Sequence, residues 1–196
     1  MYQRAWVRVP TLVASWSSLD LTDVNNYYES VLANFQKRAD ITAKEALELY
    51  NGGALDDAYD IALDYMVECN SGGYISIRRL EQLYTGGLHY TTTTSCETFS
   101  AADGHLYTLD ELFSVPREEY LPVLLKQVEA KILKSPEDYN SGWEESMEVC
   151  FPYDTFCVTE GGLSLFYQEL TLAAYAIGEV RVDIPWSVLE DIWKQA

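Results

Sequence analysis

Two histidines, four cysteines and thirty-one carboxylates are the side chains in this chain best suited to chemistry. One stretch, YTGGLHYTTTTSCETF from Tyr84, places His89 two residues after Gly86-Gly87 and seven before Cys96. A thiol–imidazole pair needs both groups within reach. Residues seven apart on a straight strand point to opposite faces, so His89 and Cys96 do not meet there. There is no G-x-S-x-G elbow, no Walker or dinucleotide glycine pattern and no calcium-loop spacing. GGLH lacks the lysine that a phosphate loop needs. No C-x-x-C occurs, which argues against a zinc knuckle or a thioredoxin-like site. Asp56, Asp57 and Asp60 cluster, and a solvated face accounts for them. His89 and His105 could pair across strands around a metal, but a hydrogen-bonded structural role is the commoner one for such residues. No catalytic residue, metal ligand or cofactor is expected from these patterns.

Cys69 ends one candidate strand, Cys96 lies in another, and Cys150 and Cys157 flank FPYDTF. Four cysteines allow three disulfide connectivities. Two bridges would suit an exported protein, and four buried thiols a cytosolic one.

The elements that must position these groups follow from periodicity. AWVRVPTLV is a short extended segment, and Pro10 argues for a sheet edge. Leu21, Val24, Tyr28, Val31, Leu32 and Phe35 recur at steps of three and four, one face of a helix that Asp20 could cap. A second helix is expected at TAKE, with Thr42 and Glu45 as a capping box, ending where Gly52 or Gly53 takes a left-handed cap. Ile61, Leu63, Tyr65, Val67 and Cys69 alternate with more polar residues, as in a half-buried strand. NSGG turns it into YISIRRLEQLY, a hairpin over 61–84, and HYTTTTSCETF makes a third strand before the ADGH turn. LDELF reads as a short helical turn. Leu121, Leu124, Leu125, Val128 and Ile132 mark a helix, with Pro116 and Pro122 near its start. SPEDYNSGWEESMEVC is a loop or short helix. DTFCVTEGGLSLFYQ reads as strand, turn and strand, EVRVDI as the last strand, and PWSVLEDIWK as a closing helix. This order predicts an α+β fold, a largely antiparallel sheet against several helices, in two intimately packed subdomains, 1–98 and 99–196.

The chain of 196 residues carries a net charge of −18, which repels phosphate backbones and anionic lipid. Nucleic acid is therefore excluded as an expected partner, while a basic protein, a cation or a neutral glycan is not. No apolar run approaches the ~20 residues of a membrane span. The first residues show no clean signal core, because Arg8 and Pro10 interrupt it; a leader, if the protein is exported, would lie outside this sequence.

The ordered series I-S-I, Y-T-G-G-x-H, T-F, D-G and L-x-x-L-F from Tyr74 to Phe113 resembles the paired domains of unknown function in RsiV-type anti-sigma factors. It equally resembles the non-catalytic region of PdaC-type peptidoglycan deacetylases. FCVTEGGLSLFYQELTLAAYAIGEVRVDIPWSVLEDIW is similar to the family's tail, and VRVPTLV with the helix carrying Asn25 and Asn26 to its start. Leu88 departs from the usual alanine, which puts close packing at the bend in doubt. The resemblance implies a non-enzymatic, extracytoplasmic sensing or binding module of the bacterial envelope. The ligand it implies is a basic protein such as lysozyme, or peptidoglycan or another glycan. The binding residues then expected are Tyr84 and His89 together with Trp143, Tyr167 and Tyr175 as exposed aromatics of the connectors, with Gly86, Gly87 and Gly178 as structural positions. The alternative is an envelope glycan hydrolase or deacetylase-associated enzyme using carboxylates near His89.

Overall fold

A computed structural model describes residues 1–13 and 21–194; the expected cap Asp20 lies outside them. The fold is α+β, with four α-helices and two sheets among the described residues. In the first sheet, β1 (Gln3–Val7), β2 (Tyr59–Ser71), β3 (Tyr74–Tyr84) and β4 (Thr91–Ser100) lie side by side in chain order. The second sheet is an antiparallel meander of β5 (Phe156–Thr159), β6 (Gly162–Tyr167) and β7 (Val180–Pro185).

The first sheet is mixed. β1 pairs parallel with β2, Gln3 beside Tyr59 through Val7 beside Leu63. Parallel neighbours need a long crossover, and here it contains α1 (Thr22–Asn51), a single helix of 30 residues. The two helices expected over this span are therefore one. Thr42 does not cap a new helix: its hydroxyl lies 3.1 Å from the carbonyls of Arg38 and Ala39, as a mid-helix threonine does, and it accepts from Gln3 Nε2 at 2.6 Å. The helix ends as expected, with Gly53 at φ +69° just beyond it. β1 is an edge strand and stops before Pro10.

The chain divides into two compact units, 1–66 with 79–93, and 67–78 with 94–196. The division cuts across β2, β3 and β4. β2 does not alternate strictly: Ile61, Ala62 and Leu63 are all buried, and Met66 and Val67 are both exposed.

In the first unit, Phe35 of α1 packs on Ile61 and Leu63 of β2, with Val7, Val31, Ala39 and Leu83 around them. Asn25 ties the segment after β1 to α1, accepting from Leu12 N at 2.8 Å and donating to Leu12 O at 3.0 Å. In the second unit, α2 (Arg117–Ile132) lays Tyr120, Leu124, Val128 and Ile132 on the core formed with Val158, Leu163, Leu165, Val182 and Ile184. Each such side chain contributes roughly 1.5–3 kcal/mol by leaving water. Tyr120 is the innermost aromatic of that helix, its hydroxyl donating to Asp110 and its ring stacked on Phe113 at 4.0 Å. Pro116 stands at the helix entry, but Pro122 lies inside the helix, deeper than expected. α3 (Trp143–Val149) fills the acidic segment, and the closing helix α4 (Trp186–Leu189) is a single turn with Pro185 just before it. No helix among the described residues is long and apolar enough to cross a membrane.

Candidate functional site: an aromatic concavity on the first sheet

The parallel register puts Arg4 beside Asp60 and Trp6 beside Ala62. Alternate residues of a strand share a face, so Arg4 and Trp6 stand together next to Asp60 and Ala62. With Gln82 and Tyr90 they line a concavity of about 420 Å³. Trp6 is 49% exposed and Tyr90 39%. Aromatic side chains exposed together around a concavity are a mark of a binding surface.

The polar floor is ordered. Arg4 grips Asp60 with two parallel hydrogen bonds, Nε to Oδ1 and Nη2 to Oδ2, both 2.6 Å. The Tyr90 hydroxyl donates to Asp60 Oδ2 at 2.6 Å. Those contacts, the Arg4 hydrogen bonds foremost, hold the Asp60 carboxyl below its ordinary range despite partial burial. Hydrogen bonding to Asp60 pushes the Tyr90 phenol up. Tyr84 backs Tyr90, ring centroids 5.1 Å apart. Its hydroxyl reaches the Gly87 carbonyl at 3.1 Å and Asp57 Oδ2 at 3.4 Å, donating to one at a time. Arg8 pairs with Asp64 and sits 5.9 Å from the Trp6 ring centre. This arrangement offers two flat apolar faces, a fixed carboxylate and fork, and a free-standing amide at Gln82. It suits a ligand with both apolar C–H faces and hydroxyl groups.

Of the residues expected from sequence, Tyr84 supports this site. His89 and Leu88 lie exposed on the adjoining bend, Leu88 being 92% exposed. Gly86 and Gly87 have φ of +95° and +97°, and an added Cβ would meet nothing within 4 Å. The bend therefore needs glycine for its left-handed backbone, not because a Cβ would clash. Gly178, with φ +74°, closes a turn by donating to Tyr175 O at 3.0 Å.

The three connector aromatics belong to the second unit. Tyr167 is a core residue, 1% exposed, its hydroxyl donating to Met147 O at 2.8 Å. It is not the exposed anchor that its place in a connector suggested, because all six residues of β6 are buried. Trp143 is half-buried against the same core, and Tyr175 is half-buried. A second concavity, of about 510 Å³, is lined among others by Lys131, Lys134, Asp138, Tyr139, Glu179 and Arg181, and it mixes both signs of charge.

Trp6, Arg4, Asp60, Gln82 and Tyr90 were not marked as binding residues by the sequence patterns. The alternation R-x-W-x-R at 4–8 is the one local signal for them. It acquires meaning only once β1 lies parallel to β2. Among the described residues no three His, Cys, Asp or Glu side chains converge so as to hold a metal. All four cysteines are free thiols.

The chain is similar to two solved structures at the level of fold. A DUF3298 family protein from Pseudomonas aeruginosa PAO1 superposes with a TM-score of 0.58 at 19% identity, over 76% of this chain and 69% of that one. A member of the DUF3298 family from Bacteroides fragilis NCTC 9343 does so with a TM-score of 0.55 at 19% identity, over 87% of this chain and 68% of that one. No curated protein matches the sequence. Residues 110–187, all within the second unit, match the family model of DUF3298, a protein family of unknown function.

Proposed function

We propose that this protein is a non-enzymatic binding module of the bacterial cell envelope, acting outside the cytoplasm, and that its aromatic concavity takes a cell-wall glycan. One observation carries the reading: Trp6 and Tyr90 stand open to water around an ordered Arg4–Asp60 fork. Sugar rings stack their C–H faces on such aromatics and give their hydroxyls to such forks. A hydrolase would need a carboxylic acid kept protonated near neutrality. Asp60 is held the other way, as a carboxylate.

Calorimetric titration with soluble peptidoglycan fragments and chitin oligosaccharides tests the reading. Trp6→Ala should weaken binding at least about tenfold, as expected for the loss of an aromatic anchor. Absence of binding to every glycan at millimolar concentration would overturn it. Turnover of those fragments, abolished by His89→Ala with the fold intact, would instead establish the enzyme.

The pH response follows from Asp60. Its pKa in the folded protein lies below the ordinary 3.8. Its pairing with Arg4 is therefore complete above that value and is lost only as pH falls through the lower, folded one. Glycan affinity should be flat between about pH 5 and 8. A loss of affinity on going from pH 8 to 5 would show that another group controls the site.

The net charge of −18 favours a second reading, a basic protein partner such as lysozyme, steered by its charge. Lysozyme binding that falls steeply with salt and ignores Trp6→Ala would select it.

A further inference from the structure

We propose that Cys96 and Cys157 are a covalent modification site: a small-molecule disulfide converts them to one intramolecular disulfide in which neither Cys69 nor Cys150 takes part. The inference is independent of the glycan reading, and either can fail alone.

Cys96 is on β4 and Cys157 on β5, strands of different sheets within the second unit. The fold brings these strands against each other. The buried Thr98 hydroxyl, two residues from Cys96, accepts from Val158 N at 3.4 Å and lies 2.9 Å from Ser76 Oγ. Thr94, two residues to the other side of Cys96, donates its hydroxyl to Glu179 next to β7, so Cys96 lies on the face of β4 that meets the second sheet, where Cys157 is its neighbour. The other cysteines have different surroundings. Cys69 turns its Sγ toward Ser71, 3.6 Å from its carbonyl and 3.5 Å from its hydroxyl, and Cys150 is exposed.

Of this pair, the half-buried Cys96 is the thiol that a reagent meets first, because Cys157 is 0% exposed. Its thiolate attacks one sulfur of the reagent, forming a mixed disulfide and releasing one small thiolate. The Cys157 thiolate then attacks Cys96 Sγ, forming the protein disulfide and releasing the second small thiolate. Two protein thiols lose two protons and two electrons, and the reagent gains both as two thiols. The contact with Cys96, and then burial, push the Cys157 thiol up. The closing step should therefore be slow near neutrality and quicken as pH rises.

The test uses the purified full chain as Cys150→Ser, to prevent pairing between molecules, incubated with oxidised glutathione. Unreduced peptide mapping should show residues 96 and 157 joined, a mass lower by two hydrogens, and one thiol left to alkylate. The oxidised form should have an unfolding constant smaller by about a thousandfold, the value for closing a loop of about 60 residues. Dithiothreitol should reverse this. Adding Cys96→Ser should leave the folded protein without any linkage. Three thiols still alkylatable after long oxidation, glutathione adducts without a 96–157 link, or a link through Cys69 would each overturn the proposal.

Discussion

Alanine at Gly162 is expected to destabilise the second unit by roughly 4 kcal/mol or more, at the extreme of single substitutions. Gly162 opens β6 opposite Pro185 with φ +146°. An alanine Cβ there would lie 1.9 Å from the Ile184 carbonyl oxygen, 2.9 Å from its carbon and 3.0 Å from Pro185 Cα. All three are backbone atoms of β7, so no side chain can swing aside. Relief requires parting two strands whose facing residues Leu163, Leu165, Val182 and Ile184 form the core. The neighbouring Gly161 is the control. Its added Cβ would come no closer than 3.9 Å to Thr159 Oγ1, and Gly161→Ala should change stability by less than about 1 kcal/mol. Urea denaturation of both variants decides the matter. Equal midpoints would mean that β6 and β7 do not meet in this register.

Arg78→Ala should cost about 3–5 kcal/mol, the range for breaking a buried ion pair from one side. Arg78 bridges two carboxylates, Nε to Glu68 Oε1 and Nη1 to Glu179 Oε1, both at 2.8 Å. The side chains are 13%, 10% and 17% exposed, respectively, so little water can replace the guanidinium. Its carbon also lies 4.9 Å from the Phe166 ring centre. Removal leaves Glu68 to Arg181, at 3.0 Å, and Glu179 to the Thr94 hydroxyl. Arg78→Lys should recover only part of the loss, because one ammonium cannot present the two-pronged fork to both acids. Adding Glu179→Gln to Arg78→Ala should cost less than the sum of the single changes, since the stranded charge is gone. Strict additivity would show that the pair is not coupled and that the bridge contributes little.

Gly162 also shows how far local pattern reaches. EGGLSLFY reads as a turn between strands from composition alone, and that is what forms between β5 and β6. Which glycine is indispensable depends on the Ile184 carbonyl of another strand. Likewise the apolar steps of three and four locate α2 correctly, whereas Thr42 with Glu45 mimics a helix start in the middle of α1. The capping-box pattern is satisfied by four residues, but the partner that occupies Thr42 is Gln3, 39 positions away. Tyr167 is misleading for a similar reason. A tyrosine leading into a polar connector reads as an exposed anchor, but β6 is covered along its whole length.

The sequence by itself determined most of the secondary elements, though not the continuity of α1, together with the α+β class and the hairpin turns, because helix and strand periods and glycine backbone preferences act within a few residues. Tertiary structure decided which side chains stand together. Arg4 meets Asp60 across 56 positions, Arg78 meets Glu179 across 101, and Thr98 meets Val158 of another sheet. Those encounters depend on the parallel crossover through α1 and on the layering of strands. Many arrangements of the same periodic elements would satisfy the local pattern equally well, and only the burial of the shared cores selects among them.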